Sequence, residues 1–224
     1  MCFSATASFA ASGVTGIAAI AAMAGAKTPA HRLLACIPIS FALQQFAEGV
    51  LWRTLEGHTS LAWQAPAMFL FLILAKVVWP VVVPVAIRGM ENEAGRRRLL
   101  TGLLGLGVVE SAAFAYSLTA YPVTAAIAGG HIAYHIETPP LVRLVVDTLY
   151  VVTVTVPPFV SSTLLMRVLG VGVVVSLIVA KLAYYTAAAS VWCFFAAFIS
   201  VLIVVVVRAD VARITAASTG SERA

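Results

Sequence analysis

Residues 42–52 read ALQQFAEGVLW, setting two glutamines and a glutamate inside an apolar run, roughly 32–54, that is long enough to cross a bilayer. A hydrocarbon core about 30 Å thick takes about 20 helical residues, and this run supplies them. Each charge at the middle of such a helix costs about 2.5 to 3.5 kcal/mol, so Gln44, Gln45 and Glu48 must face other helices or a wet cavity rather than lipid. Gln44, Glu48 and Trp52 recur every fourth residue and Gln45 stands three before Glu48, so all four share one stripe.

The rest of the chain is of the same kind. Of its 224 residues 62% are hydrophobic and only 10% charged, too little polar surface for a soluble domain of this size. A net charge of +5 could suit nucleic acid, but the basic residues lie between apolar runs, where they set topology and meet anionic headgroups. The partner implied is the lipid bilayer, with no nucleic acid. The start, MCFSATASF, has no basic region ahead of its apolar run and does not read as a cleavable signal.

Seven spans are predicted, at about 7–25, 32–54, 65–87, 98–118, 144–166, 168–186 and 188–207, with a polar, disordered tail over 208–224. Lys27, Arg32, Arg88, Arg96, Arg97, Arg98, Arg167, Arg208, Arg213 and Arg223 fall on one side, ten in all, against Arg53 and Arg143 on the other. The excess of basic residues marks the cytoplasmic side, so the N-terminus is placed outside and the C-terminus in the cytoplasm. The one long connection, YPVTAAIAGGHIAYHIETPP, holds two short β-prone runs about Gly129-Gly130, the signature of a hairpin. The fold class is therefore an all-α membrane protein: a seven-transmembrane-helix bundle with a short extracytoplasmic β-hairpin or flap between helices four and five. Paired prolines in VVWPVVVP and VTVTVPPFV predict kinks in spans three and five.

In that orientation Glu48 lies about 9 Å and Glu110 about 12 Å below the outer ends of their spans. Lys181, Tyr150 and Trp192 sit near the outer ends of theirs, and the hairpin brings His131, Tyr134, His135 and Glu137 to the same face. The convergence predicts an outward-facing polar pocket for a small ligand or ion, formed by Gln44, Gln45, Glu48, Glu110, Lys181 and Trp192 with Trp52 and Tyr150 as walls. A plainer reading pairs Lys181 with Glu48 and Lys76 with Glu110 as ion pairs that fix helix register. A third gives His131, His135 and Glu137 to a transition metal, the only cofactor considered, although two histidines four apart on one strand stand about 13 Å from each other. Cys2 and Cys193 both fall outside, where they could form a disulfide or leave Cys2 as an N-terminal site.

Four motifs, MCFSATASF at the start, QQFAEGVLW in span two, VVWPVVVP in span three and SVWCFFAAFISV in span seven, resemble an uncharacterised bacterial family of multi-pass membrane proteins of unknown function. The resemblance implies a bacterial cytoplasmic-membrane location and no activity. Microbial rhodopsins carry a retinal lysine in span seven, which is absent here. The ceramidase and adiponectin-receptor hydrolases carry HxxxH on a span, whereas HIAYH here precedes span five. Three functions remain in view: a receptor- or transporter-like binding protein, a membrane-embedded metal-dependent hydrolase with Glu48 as base, or a non-catalytic subunit of a homo-oligomer or membrane-protein complex.

Overall fold

The computed structural model describes residues 4–183 and 195–221. Among these, six helical stretches are long and apolar enough to cross a membrane: Ala5–Gly25, Pro29–Leu55, Leu61–Met90, Ala94–Ala120, Pro140–Val160 and Leu164–Leu182. The chain is thus a helix-rich protein of multi-pass membrane type. A further helix, Ala196–Ser221, follows; the seventh predicted span begins outside the described residues, so six spans stand on described structure alone.

Polar side chains fix where the helices begin. In α1 (Ala5–Gly25) the Ser4 hydroxyl accepts the Ala7 N–H at 3.2 Å. Ahead of α2 (Pro29–Leu55), Thr28 accepts the His31 N–H at 3.1 Å, and Pro29 supplies a preset first turn. The carboxylate of Glu93 takes the N–H groups of Gly95 and Arg96 at the start of α5 (Ala94–Ala120).

The third span is not one regular helix. A 3-10 turn (Leu61–Trp63) leads into α3 (Gln64–Leu72), a widened π turn (Ile73–Val78) and α4 (Trp79–Met90). Pro80 and Pro84 explain the break, because neither can donate to the carbonyl four residues before it, and one of those carbonyls belongs to Pro80 itself. Helix α5 closes over the gap. Ser111 donates to the Val77 carbonyl at 2.7 Å, and Gly107 lies so close to the Pro80 carbonyl that a Cβ there would collide with it. The fifth span breaks likewise, as α6 (Pro140–Thr155) gives way at Pro157 to the single turn α7 (Pro157–Val160).

Between α5 and α6, β1 (Val123–Ala128) and β2 (His131–Ile136) pair antiparallel, Ala128 opposite His131. Gly129 and Gly130 both take positive φ, +58° and +76°, as a two-residue turn of type I′ requires. The hairpin is docked onto the helices: Ile132 is fully buried, and the Tyr134 ring stacks on Phe71 at 4.7 Å between centroids.

Packing inside a bilayer depends on close fit rather than on escape from water. Helix α1 meets α2 through small residues, with Ser12 donating to the Ala42 carbonyl at 2.8 Å and Gly49 leaving room for the Phe9 ring. Ile17 and Ile20, over 70% exposed, form part of its outer face. One apolar core joins Phe41, Trp79, Ile87, Leu100 and Val154 to Met166 of α8 (Leu164–Ala183) and Ile203 of α9 (Ala196–Ser221). A second lies beneath the hairpin around Leu51, Phe71, Phe114 and Ile132.

At the end away from the hairpin the loops are stapled. Glu91 accepts N–H groups from Asn92, Glu93 and Ser162, the last at 2.7 Å. Arg96 donates to the Val160 carbonyl and Arg167 to the Ser161 carbonyl. His31, 1% exposed, meets Asp210 at 2.9 Å. That contact accompanies a departure from the sequence reading: α9 runs beyond Val207 to Ser221, so 208–221 is helical. Its alanine-rich sequence has the propensity for it.

Candidate functional site

At the hairpin end the helices part around a cavity of about 320 Å³. Small-molecule sites span about 300 to 1,000 Å³, so this one suits a compact ligand. Its floor and sides are aromatic, with Phe41, Trp79, Phe114 and Tyr150 from four helical segments and Tyr134 from β2. Polar groups break this lining at Gln44, Lys76, Ser117, His135, Arg143, Asp147 and Lys181.

Four of these polar groups are held by partners within or beside the lining. Lys76 lies in the π turn, where the helix surface no longer follows a 3.6-residue period, and its ammonium reaches across to Asp147 of α6 at 2.9 Å. The same ammonium stands 4.1 Å from the centre of the Tyr150 ring and 5.7 Å from that of Phe114, so two aromatic faces flank the charge. The Gln44 side-chain carbonyl accepts the Trp79 indole N–H at 3.1 Å, which ties α2 to α4 at the bottom of the cavity. Arg143, at the start of α6, donates to the carbonyls of Ile136 and Thr138 at the foot of the hairpin. The lining is therefore aromatic at its base and charged where it opens.

Of the residues predicted to form a pocket, Gln44, Tyr150 and Lys181 do line this cavity. Gln45, Glu48, Trp52 and Glu110 do not; they are 0 to 3% exposed and packed within the bundle. Trp192, Cys2 and Cys193 lie outside the described residues, while Cys36 is a free thiol. The expected partner of Lys76 was Glu110, but Asp147 takes that role. Both Glu110 carboxyl oxygens are buried without a hydrogen-bond partner among the described residues, within electrostatic reach of Lys76 and Asp147. Lys181 is exposed on the cavity wall and Glu48 is fully buried, so their environments also differ.

The histidines part company. His131 is buried at the turn, where burial holds its imidazole below the ordinary histidine range; His135 is exposed and borders the cavity. Glu137 is exposed beyond the strand. Among the described residues no three His, Cys, Asp or Glu side chains stand together as a metal shell.

Two contributors went unrecognised in the sequence: Arg143 was counted as a topology charge and Lys76 as a partner for Glu110. A signal was present: Pro80 follows Lys76 by four, so the helix must loosen at that lysine.

A helical membrane-type bundle with an aromatic cavity carrying charged side chains at its hairpin end is thus the class of protein that the fold defines. The family model described as a family of unknown function (DUF6629) matches residues 1–218, and the chain belongs to that family. No curated protein and no solved structure matches it.

Proposed function

We propose that this protein is a receptor- or transporter-like membrane protein that takes a small ligand or ion from the outer face into the cavity beneath the hairpin. The observation that carries the reading is the Lys76–Asp147 ion pair set in an aromatic cavity. The pair is not packed away, the Lys76 and Asp147 side chains being 19% and 44% exposed, and a pair beside an open cavity can exchange partners with a guest. The distribution of ten basic residues against two supports the hairpin end as the outer one and the stapled end as cytoplasmic. The interruption in span three contributes Lys76 to the lining and supplies a hinge for admitting and releasing a guest, and the break in span five at Pro157, further from the cavity, supplies a second.

The test is to extract the protein with its native lipids in polymer-bounded discs and compare bound small molecules by mass spectrometry with those of Val146→Trp, which fills the cavity. A species near one equivalent that vanishes in Val146→Trp supports the reading. Identical profiles from two folded samples contradict it.

A further inference from the structure

The guest's chemistry is legible in the charges around the opening. Among the described residues three cationic side chains line the cavity, Lys76, Arg143 and Lys181, against one carboxylate, Asp147. Asp147 faces Lys76 at 2.9 Å, so those two charges balance and leave Arg143 and Lys181 in excess. Among the described residues no carboxylate lies within ion-pair distance of Arg143 or Lys181. Arg143 is not thereby free to swing: its Nη2 donates to the Ile136 carbonyl at 3.1 Å and to that of Thr138 at 3.5 Å, which holds the guanidinium at the rim. Neutral carbonyls orient that charge without cancelling it, and the guanidinium fork retains N–H groups that fit two oxygens of a carboxylate or phosphate. Below the rim the surface becomes aromatic and aliphatic, with Phe41, Trp79, Phe114 and Tyr150 facing one space.

From this layering we propose that the cavity binds a small amphipathic organic anion, its carboxylate or phosphate head held by Arg143 and Lys181 and its apolar tail among those rings. The assignment rests on the ligand-binding reading above. A cationic guest would meet two uncompensated positive charges on entry, and a fully polar anion would strip water from its tail end for no return. The shared chemistry could come from a membrane lipid entering sideways or from a soluble acid entering from outside.

The probe is decanoate brominated at its terminal carbon, whose bromine quenches indole fluorescence; the competitor class is the matching bromodecyl trimethylammonium. Both are titrated against the full chain in discs of phosphatidylcholine, and the Trp79→Phe variant gives the background to subtract. Saturable quenching that depends on Trp79, seen with the anion and absent with the cation, is expected. An Arg143→Gln, Lys181→Gln double variant should bind the anion about tenfold or more weakly, and an Arg143→Lys, Lys181→Arg exchange should recover most of the binding. Repeating the titration in discs containing phosphatidylglycerol identifies the source: competition marks a lipid headgroup, and unchanged affinity marks a soluble acid. Equal quenching by both probes, or anion affinity indifferent to the double glutamine variant, overturns the assignment. If neither probe quenches while native discs still yield a species lost in Val146→Trp, the anion assignment fails and the binding reading survives.

Discussion

The two ends of the bundle use polar groups in opposite ways. At the stapled end polar groups are matched: buried Glu91 gathers three N–H groups, buried His31 meets Asp210, and the more exposed Arg96 and Arg167 reach carbonyls of the 160–161 turn. At the hairpin end, and among the described residues, the Trp52 indole nitrogen and both oxygens of Glu110 are buried without a hydrogen-bond partner, and an ion pair borders open space. A buried polar group that goes unmatched costs about 1 to 3 kcal/mol. One end is arranged for stability; the other gives up stability around a cavity.

The comparison can be broken by mutation, beginning with the junction between the ends. Gly107→Ala drives a methyl into the Pro80 carbonyl, a backbone atom that cannot rotate away, and should lower stability by about 3 kcal/mol or abolish folded yield. Gly102→Ala, on the same helix with open space around it, should be neutral or slightly stabilising in the same detergent melts. Next in size, Glu91→Ala strands three N–H groups, and a loss of about 2 kcal/mol is expected, with faster hydrogen exchange at Ser162. Glu110→Leu should have the reverse sign. Replacing an unpartnered buried carboxyl with a side chain of similar bulk should raise the melting point, equivalent to about 1 kcal/mol or more. A clear loss would mean that Glu110 has a partner essential to the fold.

The smallest effect is a difference in pH window. Burial would push the Glu91 carboxyl up, but the N–H groups of Ser162, Glu93 and Asn92 outweigh it and hold the group below 4.5. Its folded form binds protons less readily than the unfolded chain, so its contribution is present above pH 4.5 and is lost as pH falls through the depressed value. For His131, burial depresses the imidazole below 6.5. The unfolded chain then takes up a proton first, so hairpin docking weakens as pH falls below 6.5, ahead of the stapled end. Hydrogen exchange at Ile132 and at Ser162, followed from pH 7 downward, should show the hairpin responding first.

Much of this architecture was legible because apolar run length and loop charge are simple quantities. The Gly129-Gly130 turn was legible because only a few residues accept two positive φ angles in succession. The lining was harder to read. Stripe spacing put Gln44, Gln45, Glu48 and Trp52 on one face, yet a helix in the middle of a bundle has no single inward side, and only Gln44 reaches the cavity. Lys76 was misassigned because its register depends on a π turn, whose extra residue shifts every side chain that follows and leaves no mark in a periodicity. Arg143 shows that a charge can serve topology and a site at once, which counting cannot separate.

The most direct measurement compares the ends themselves. In a cysteine-free background, Val146→Cys on the cavity wall and Ile87→Cys in the core near the stapled end are treated in intact cells with a charged thiol reagent that cannot cross membranes. Rapid modification of Val146→Cys, with none at Ile87→Cys until the cells are opened and the protein unfolded, is the result predicted. A Val146→Cys that stays unmodified in intact cells but reacts in inside-out vesicles would place the cavity on the cytoplasmic face and contradict the account.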